Sequence, residues 1–427
     1  MNVRTNTNRP LRIALYGSIH HSAGSMATTF FNIVREWLRA GHEVDLYSPG
    51  TYLDPADLTE WPNLRYVSVV IPRWKQPTQL APRFGPRVAR AAAMSALAET
   101  QRVVHEAEVA SVVLREHARA RYDAFVVINR LSHFVIPEGI LPVISFVQGS
   151  PNGEKEFIRR RGDLVRAECG WSGWALLRAG YETRDLNIAR TLARSSFIIV
   201  PSEWTASMFE REGWPRARMA TLWPPIDLRR FAITERPASA SRFTFLWLGR
   251  IVPRKRFELA LEALARLRAR RPSARLIVIG GAGYREWVKL RLPALGDGVE
   301  RGEPMPNDRV PELMARTDTL LQPSENENFG ASAAEAAACG VPSVLGPTNG
   351  TAESLGDTAF LFDRYDPDSV AGAMERAMDA VLSDRTSVAS RARAIAERNL
   401  SLPSTAARAA DLIRQAVEAW HSERGLH

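Results

Sequence analysis

At 427 residues the chain exceeds one typical domain, and two domains of about 200 residues each are the natural division. Its 45% hydrophobic and 24% charged content is that of an ordinary soluble globular protein, and a net charge of +9 favours anionic partners: nucleotides, anionic membrane surfaces or nucleic acid. Cys169 and Cys339 are too few for a disulfide framework, Met1–Pro10 is polar, and no run approaches ~20 apolar residues, which together exclude a disulfide scaffold, a signal peptide and a membrane span and point to a reducing cytoplasm.

The first predicted strand is Leu11–Tyr16, followed by a loop of small residues from Gly17 to Ser25, a helix over Met26–Ala40 and a second strand from Gly41 to Tyr47. This order opens a doubly wound α/β domain. Ligands of such sheets bind beyond the carboxyl ends of the strands, so Gly24 and Ser25 form a candidate site wall. His20 and His21 lie in the same loop. A strand over Asn63–Val70, a proline-rich irregular loop from Pro72 to Pro86 and a long charged helix from Arg87 to Arg121 follow. Strands at Phe125–Ile128 and Pro142–Val147 come next, the second ending at Gln148. Between Glu154 and Gly180, Arg159, Arg160 and Arg161 precede Trp171 and Trp174. Solvated charges over core tryptophans, a sugar-acceptor contact and membrane docking all fit that pattern. A strand over Phe197–Val200 completes the first half.

The polar run from Thr234 to Arg242 marks a linker, and a second strand–helix series begins at once. Phe243–Leu248 is a strand that ends in Gly249-Arg250, with Lys255 five residues on and a helix over Phe257–Arg270. An arginine and a lysine converging at a strand end suit a diphosphate, one as a fixed fork and the other as a point charge. Arg275–Ile279 runs into glycines without the spacing of a dinucleotide fingerprint, and Val299–Glu303 is the next strand-like segment. Thr319-Leu320-Leu321 then leads into Pro323-Ser324-Glu325-Asn326-Glu327-Asn328-Phe329-Gly330 and an Ala-rich helix stopped by Gly340 and Pro342. Asn328, Phe329 and Gly330 thus meet a helix N-terminus, whose free N–H groups favour an anion. Glu327 and Glu335 flank it as acceptors for hydroxyl groups of the same ligand.

Glu327 and Glu335, with seven residues between them and Gly340-Val341-Pro342 after, resemble the E-x7-E signature of family 4 retaining glycosyltransferases. The resemblance is firm in about 180 C-terminal residues and loose in the first 220, on the match of motifs along the chain. It implies the α/β GT-B fold: two Rossmann-like domains facing a cleft, with a C-terminal helix crossing back to the first. Residues 1–225 would then bind acceptor and 243–403 the nucleotide sugar, with 404–427 packing on the first domain. It also implies transfer of a sugar from a nucleotide diphosphate sugar, with UDP and GDP the leading nucleotides, to a hydroxyl acceptor with retained anomeric configuration.

The family pattern gives Arg250 and Lys255 the leaving diphosphate, and makes Glu327 the residue that orients the donor sugar. Glu335 would accept the ribose hydroxyls, while Asn328, Phe329, Gly330 and Gly24 line the donor site and Arg301 contacts the base. Ala23-Gly24-Ser25 stands where the family has a double glycine, and Gln148 where it commonly has a histidine. Gln148 and Ser25 are candidate contacts to sugar or acceptor. Glutamine cannot take a proton at neutral pH, so the expected base is the leaving phosphate itself. No Asp-x-Asp motif of the metal-binding kind sits in a strand-end loop, so neither a metal nor any other cofactor is expected beside the donor. The acceptor would be sugar-bearing, lipid-linked or a small molecule, the protein cytoplasmic with peripheral contact at the inner membrane face, and nucleic acid no partner. A same-fold phosphorylase or epimerase, a nucleotide-sugar or glycan binding protein without turnover, and a charge-driven nucleic-acid binder remain the competing readings.

Overall fold

The computed structural model describes residues 9–17, 19, 25–48, 60–71, 87–128, 136–192, 194–234, 242–281, 288 and 290–425. Gly24, His20, His21 and the linker residues 235–241 lie outside them.

Seven parallel strands form the first sheet: β1 (Arg12–Gly17), β2 (Glu43–Ser48), β3 (Leu64–Ser68), β4 (Ala124–Ile128), β5 (Val143–Phe146), β6 (Phe197–Val200) and β7 (Met219–Thr221). Their order is β3-β2-β1-β4-β5-β6-β7, so the winding reverses between β1 and β4. The central strands are buried almost end to end and mostly apolar, because helices cover both faces. Helix α1 (Ser25–Arg39) buries Phe30, Ile33, Val34, Trp37 and Leu38, spaced as one helical stripe. It stops at Gly41, whose φ of 86° admits the paired bonds from Gly41 to Leu38 and from His42 to Trp37. Helices α2 (Arg87–Arg119), α3 (Pro151–Arg160), α4 (Gly162–Leu192, kinked at Gly170) and α5 (Glu203–Arg211) complete this half.

The second sheet has β8 (Phe243–Leu248), β9 (Ala274–Ile279), β10 (Val299–Gly302), β11 (Thr319–Gln322), β12 (Ser343–Leu345) and β13 (Ala359–Leu361), ordered β10-β9-β8-β11-β12-β13. Here the winding reverses between β8 and β11. Helices α6 (Phe257–Arg268), α7 (Val310–Met314), α8 (Ala331–Ala338), α9 (Thr351–Leu355), α10 (Pro367–Ser383) and α11 (Arg385–Asn399) cover it. Beside the reversal point β8 and β9 end on two close glycines, since a Cβ on Gly280 would lie 1.8 Å from the Gly249 carbonyl oxygen.

The chain passes between the halves at two adjacent places. Ile226 donates its N–H to Leu400 at 2.9 Å and pairs in a parallel bridge with Ser401. Helix α12 (Leu402–Ser422) then returns to the first sheet. Its small residues Ala406, Ala409, Ala410 and Ala416 let it approach α1, with Leu412 and Ile413 in the same core, and Trp37 Nε1 donates to the Ala406 carbonyl at 2.9 Å.

Candidate active site

The reversal point of the second sheet collects the charged side chains. Beyond β8, Val252 leads into a 3-10 turn over Pro253–Lys255, while beyond β11 the loop 323–330 delivers α8. The two segments join directly, as the Glu325 N–H donates to the Arg254 carbonyl at 2.8 Å. Glu327, 5% exposed, accepts from Lys255 Nζ and, at 3.2 Å, from Arg254 Nη1. Burial alone would raise the Glu327 carboxyl, but Lys255 and Arg254 outweigh it and hold it at about 2. Burial pulls Lys255 below its ordinary value, the cations Arg254 and Arg250 add to that, and Glu327 opposes them. Arg250 itself is exposed at the end of β8.

The loop carrying Glu327 hangs on a second loop, the one after β12. Asn326 and Glu327 donate backbone N–H groups to Thr348 Oγ1 and to the Thr348 carbonyl, both at 2.9 Å, and Gly350 donates to the Glu327 carbonyl at 2.9 Å. Gly330 donates its N–H to Thr351 Oγ1 at 2.6 Å, so this amide is not free for an anion as the sequence suggested. Glycine is needed there for space, because a Cβ would lie 2.1 Å from Gln322 Oε1. Ala331 and Ser332 head α8 and are the amides left at its start.

Glu335 is 6% exposed on α8 and lines a cavity of about 60 Å³ between the two domains, shared with Thr28, Thr29, Arg230, Asn307 and Phe329. Burial pushes its carboxyl up to about 7, against the pull of Arg230. Two carboxylates of one motif therefore differ sharply, Glu327 fixed as an anion and Glu335 poised near neutrality.

The first domain stands directly over this region. A Cβ on Gly149 would lie 2.2 Å from Asn328 Nδ2, so the glycine after Gln148 makes room for that amide. Asn328 also accepts from Ser202 Oγ through its carbonyl at 2.7 Å and from Thr205 Oγ1 through Oδ1 at 3.3 Å. Glu154 on α3 pairs with Arg254 at 3.0 Å, and Arg161 pairs with Glu325 at 3.1 Å. Gln148 is half-buried and faces Thr29 and Phe30 of α1 in a separate small cavity. Ser25 is the first residue of α1, and its side chain lies outside the described residues. Arg301 is exposed on the edge strand β10, while its neighbours Glu300 and Gly302 line a cavity of about 310 Å³. Arg254, Glu154, Thr348, Asn349 and Glu353 are site-forming residues that sequence reading passed over. Arg254 adjoins Lys255, and Thr348-Asn349-Gly350 follows a strand end, which are the signals that could have marked them.

Among the described residues no group of three or more His, Cys, Asp and Glu side chains is placed to hold a metal ion. No helix of the described residues is long and apolar enough to cross a membrane. Trp171 is 72% exposed, with the Arg166 guanidinium 4.7 Å from its ring centre.

Two reversed-winding parallel sheets joined by a crossing helix, with acids and bases gathered at a reversal point between them, define the GT-B class. The chain matches the model of the glycosyl transferase 4-like domain over residues 24–225 and that of glycosyl transferases group 1 over residues 230–395. It belongs to this family of glycosyltransferases. A GDP-mannose-dependent alpha-(1-6)-phosphatidylinositol monomannoside mannosyltransferase of Mycolicibacterium smegmatis is 29% identical over 231 residues, covering 48% of this chain and 57% of the relative. A D-inositol 3-phosphate glycosyltransferase of Thermobispora bispora is 29% identical over 227 residues, covering 48% and 53%. The chain thus spans little more than half the length of these curated relatives. In fold it is similar to the sucrose-phosphate synthase of Thermosynechococcus elongatus, with a TM-score of 0.63, 18% identity and coverage of 96% and 100%. It is likewise similar to HepE of Anabaena in complex with UDP and glucose, with a TM-score of 0.60, 16% identity and coverage of 95% and 100%.

Proposed function

We propose that the protein is a retaining glycosyltransferase that moves a sugar from a nucleotide diphosphate sugar to a hydroxyl acceptor without a metal ion. The observation that carries this reading is the buried Lys255–Glu327–Arg254 cluster at the same reversal point as Glu335 and the start of α8. As the bond from sugar C1 to the β-phosphate oxygen breaks, negative charge builds on the diphosphate. Lys255 and Arg250 are the cations that take it up, assisted by the first amides of α8. The acceptor hydroxyl forms the new bond to C1 and gives its proton to the departing phosphate. Glu327, held ionised, accepts hydroxyls of the transferred sugar and orients it. Glu335 faces the ribose across the interdomain cavity, with Phe329 beside it. Gln148 is the first-domain candidate for sugar or acceptor contact, and an amide cannot act as a base.

The mycolicibacterial relative is named for GDP-mannose, which puts GDP-sugars first in a donor panel alongside UDP-sugars. Its name also includes a phosphatidylinositol acceptor. A lipid-linked acceptor at the inner membrane face suits the exposed Trp171 with Arg166 against it. The test is a thermal-shift panel of nucleoside diphosphates and their sugars, followed by measuring nucleoside diphosphate release in EDTA from whichever donor stabilises the protein. Selective stabilisation by one donor with slow release of its nucleotide is expected. Stabilisation without release would establish a nucleotide-sugar binding protein instead, and no response to any donor would overturn both.

A further inference from the structure

The turn from β8 into α6 ends on Arg256, which sits at φ 50° and ψ 49° with 5% of its surface exposed. A left-handed backbone suits glycine and is unfavourable for arginine, and a buried guanidinium requires matched acceptors. Both penalties are offset by what the side chain reaches. Its Nε donates to Glu258 at 2.5 Å, its Nη1 donates to Glu325 at 2.9 Å, and it lies 5.8 Å from the ring centre of Tyr365. The same Glu325 oxygen accepts from Arg161 of the first domain at 3.1 Å. Glu168 of the first domain shares a hydrogen bond with Glu258 in the field of Arg256, and burial pushes its carboxyl up to about 8, so the first domain meets both carboxylate partners of one guanidinium. Tyr365 donates to the Ser324 carbonyl at 3.1 Å. Ser324 and Glu325 form the near limb of the loop that carries Glu327 two residues later.

We propose that Arg256 is a positioning residue that makes the placement of Glu327 conditional on the first domain standing over it. Arg161 and Glu168 engage this centre from one side, and Arg256 holds the Ser324–Glu325 limb from the other. When the domains part, Glu325 loses Arg161 and Glu258 loses Glu168, so the limb loosens and Glu327 loses its aim. The inference rests on reading Glu327 as the carboxylate that orients the donor sugar. It adds that the second domain alone, although it holds every proposed donor-binding charge, does not present Glu327 in its working position.

Arg256→Gly tests this with the backbone conformation kept, since glycine accepts the left-handed region, and a thermal melt checks that losing a buried guanidinium leaves the protein folded. Arg161→Ala, at a side chain 30% exposed, removes the first-domain partner and leaves the second domain untouched. With a competent donor and acceptor, Arg256→Gly should lower kcat by about tenfold or more while the Kd of the nucleoside diphosphate moves by less than about threefold. Arg161→Ala should lower kcat in the same direction, and the double variant should be no slower than Arg256→Gly alone, the signature of one shared chain of contacts. Small-angle scattering of the unliganded protein should show a larger radius of gyration for Arg256→Gly than for wild type. Full kcat in Arg256→Gly, an unaltered radius, or parallel losses of kcat and nucleotide affinity would each overturn the proposal. A wild-type protein inert toward every donor would instead overturn the transferase reading, and scattering would still decide whether Arg256 links the domains.

Discussion

The carboxylate of Glu353, on α9 of the second domain, accepts the backbone N–H groups of Glu203 and Trp204 at 2.7 Å each, at the start of α5 in the first. A helix end in one domain is thus capped by a side chain from the other, while Ser202 caps Thr205 of the same helix at 3.1 Å. Removing the cap by Glu353→Ala should lower stability by about 1 kcal/mol, read by chemical denaturation. Glu353→Asp, too short to reach both amides, should give an intermediate loss. An unchanged denaturation midpoint for Glu353→Ala would show that the contact is absent in solution.

Gly149→Ala places a methyl group where the Asn328 amide now sits. The amide must rotate away and give up Thr205, so a loss of about 1–2 kcal/mol in stability is expected together with a fall in turnover. Adding Asn328→Ala, which clears the space, should restore stability in the double variant. A Gly149→Ala protein as stable and active as wild type would mean that the domains do not meet here.

Charge removal should divide the cations into two kinds. Arg250 is exposed, so Arg250→Ala should weaken nucleoside diphosphate binding by about 1–3 kcal/mol and leave the melting temperature nearly unchanged. Lys255→Ala should weaken binding similarly but also destabilise, because it breaks a buried pair. Glu327→Ala strands the buried Lys255 and leaves Arg254 to Glu154 alone, and a stability loss of about 3–5 kcal/mol should accompany the collapse of turnover. Glu327→Gln keeps the shape and is the cleaner test of chemistry. Calorimetry with the nucleoside diphosphate, run beside thermal melts of each variant, separates these effects, and equal melting temperatures for all of them would refute the buried pairing.

Glu335 sets a pH signature. Its folded value of about 7 lies above the unfolded 4.5, so the folded protein keeps a proton between those values that the unfolded chain has released. The stability this provides is complete below 4.5 and is lost as pH rises through 7. Melting temperatures of wild type and Glu335→Gln compared from pH 5 to pH 8 should therefore diverge, wild type losing ground as pH rises. Parallel curves would show that Glu335 is not buried as described. Glu327 has the opposite sign: its folded value of about 2 gives stability that is present above 4.5 and lost as pH falls toward 2.

The strands of both sheets and the helix bearing Glu335 are readable from local pattern. Ile13–Tyr16 is a continuous apolar run with a buried partner on each side, and Gly340 closes α8 through bonds from Gly340 to Ala337 and from Val341 to Ala336. Glu327 and Glu335 were legible as a spaced pair for the same reason, their spacing being a property of one loop and one helix. The supports of the site were not legible. Arg161 and Glu325 are separated by 164 positions, and Glu154 meets Arg254 from the other domain, so no local period or motif encodes either pair. Gly330 shows the limit from the other direction. It looked like an anion-binding glycine, whereas its amide is taken by Thr351 and its lack of a side chain serves Gln322.

The adjacent passages at Ile226 and Ser401 have a consequence for synthesis. The first sheet is translated before the second, yet the face of α1 that holds Trp37 is covered by α12, which is made after every strand of the second sheet. The second domain can close its own core as soon as residues up to about 400 have emerged, whereas the first must wait with apolar surface exposed. Order of translation and order of completion are therefore reversed in this chain. A chain truncated before Leu402 should carry a protease-resistant second domain joined to a protease-sensitive first one.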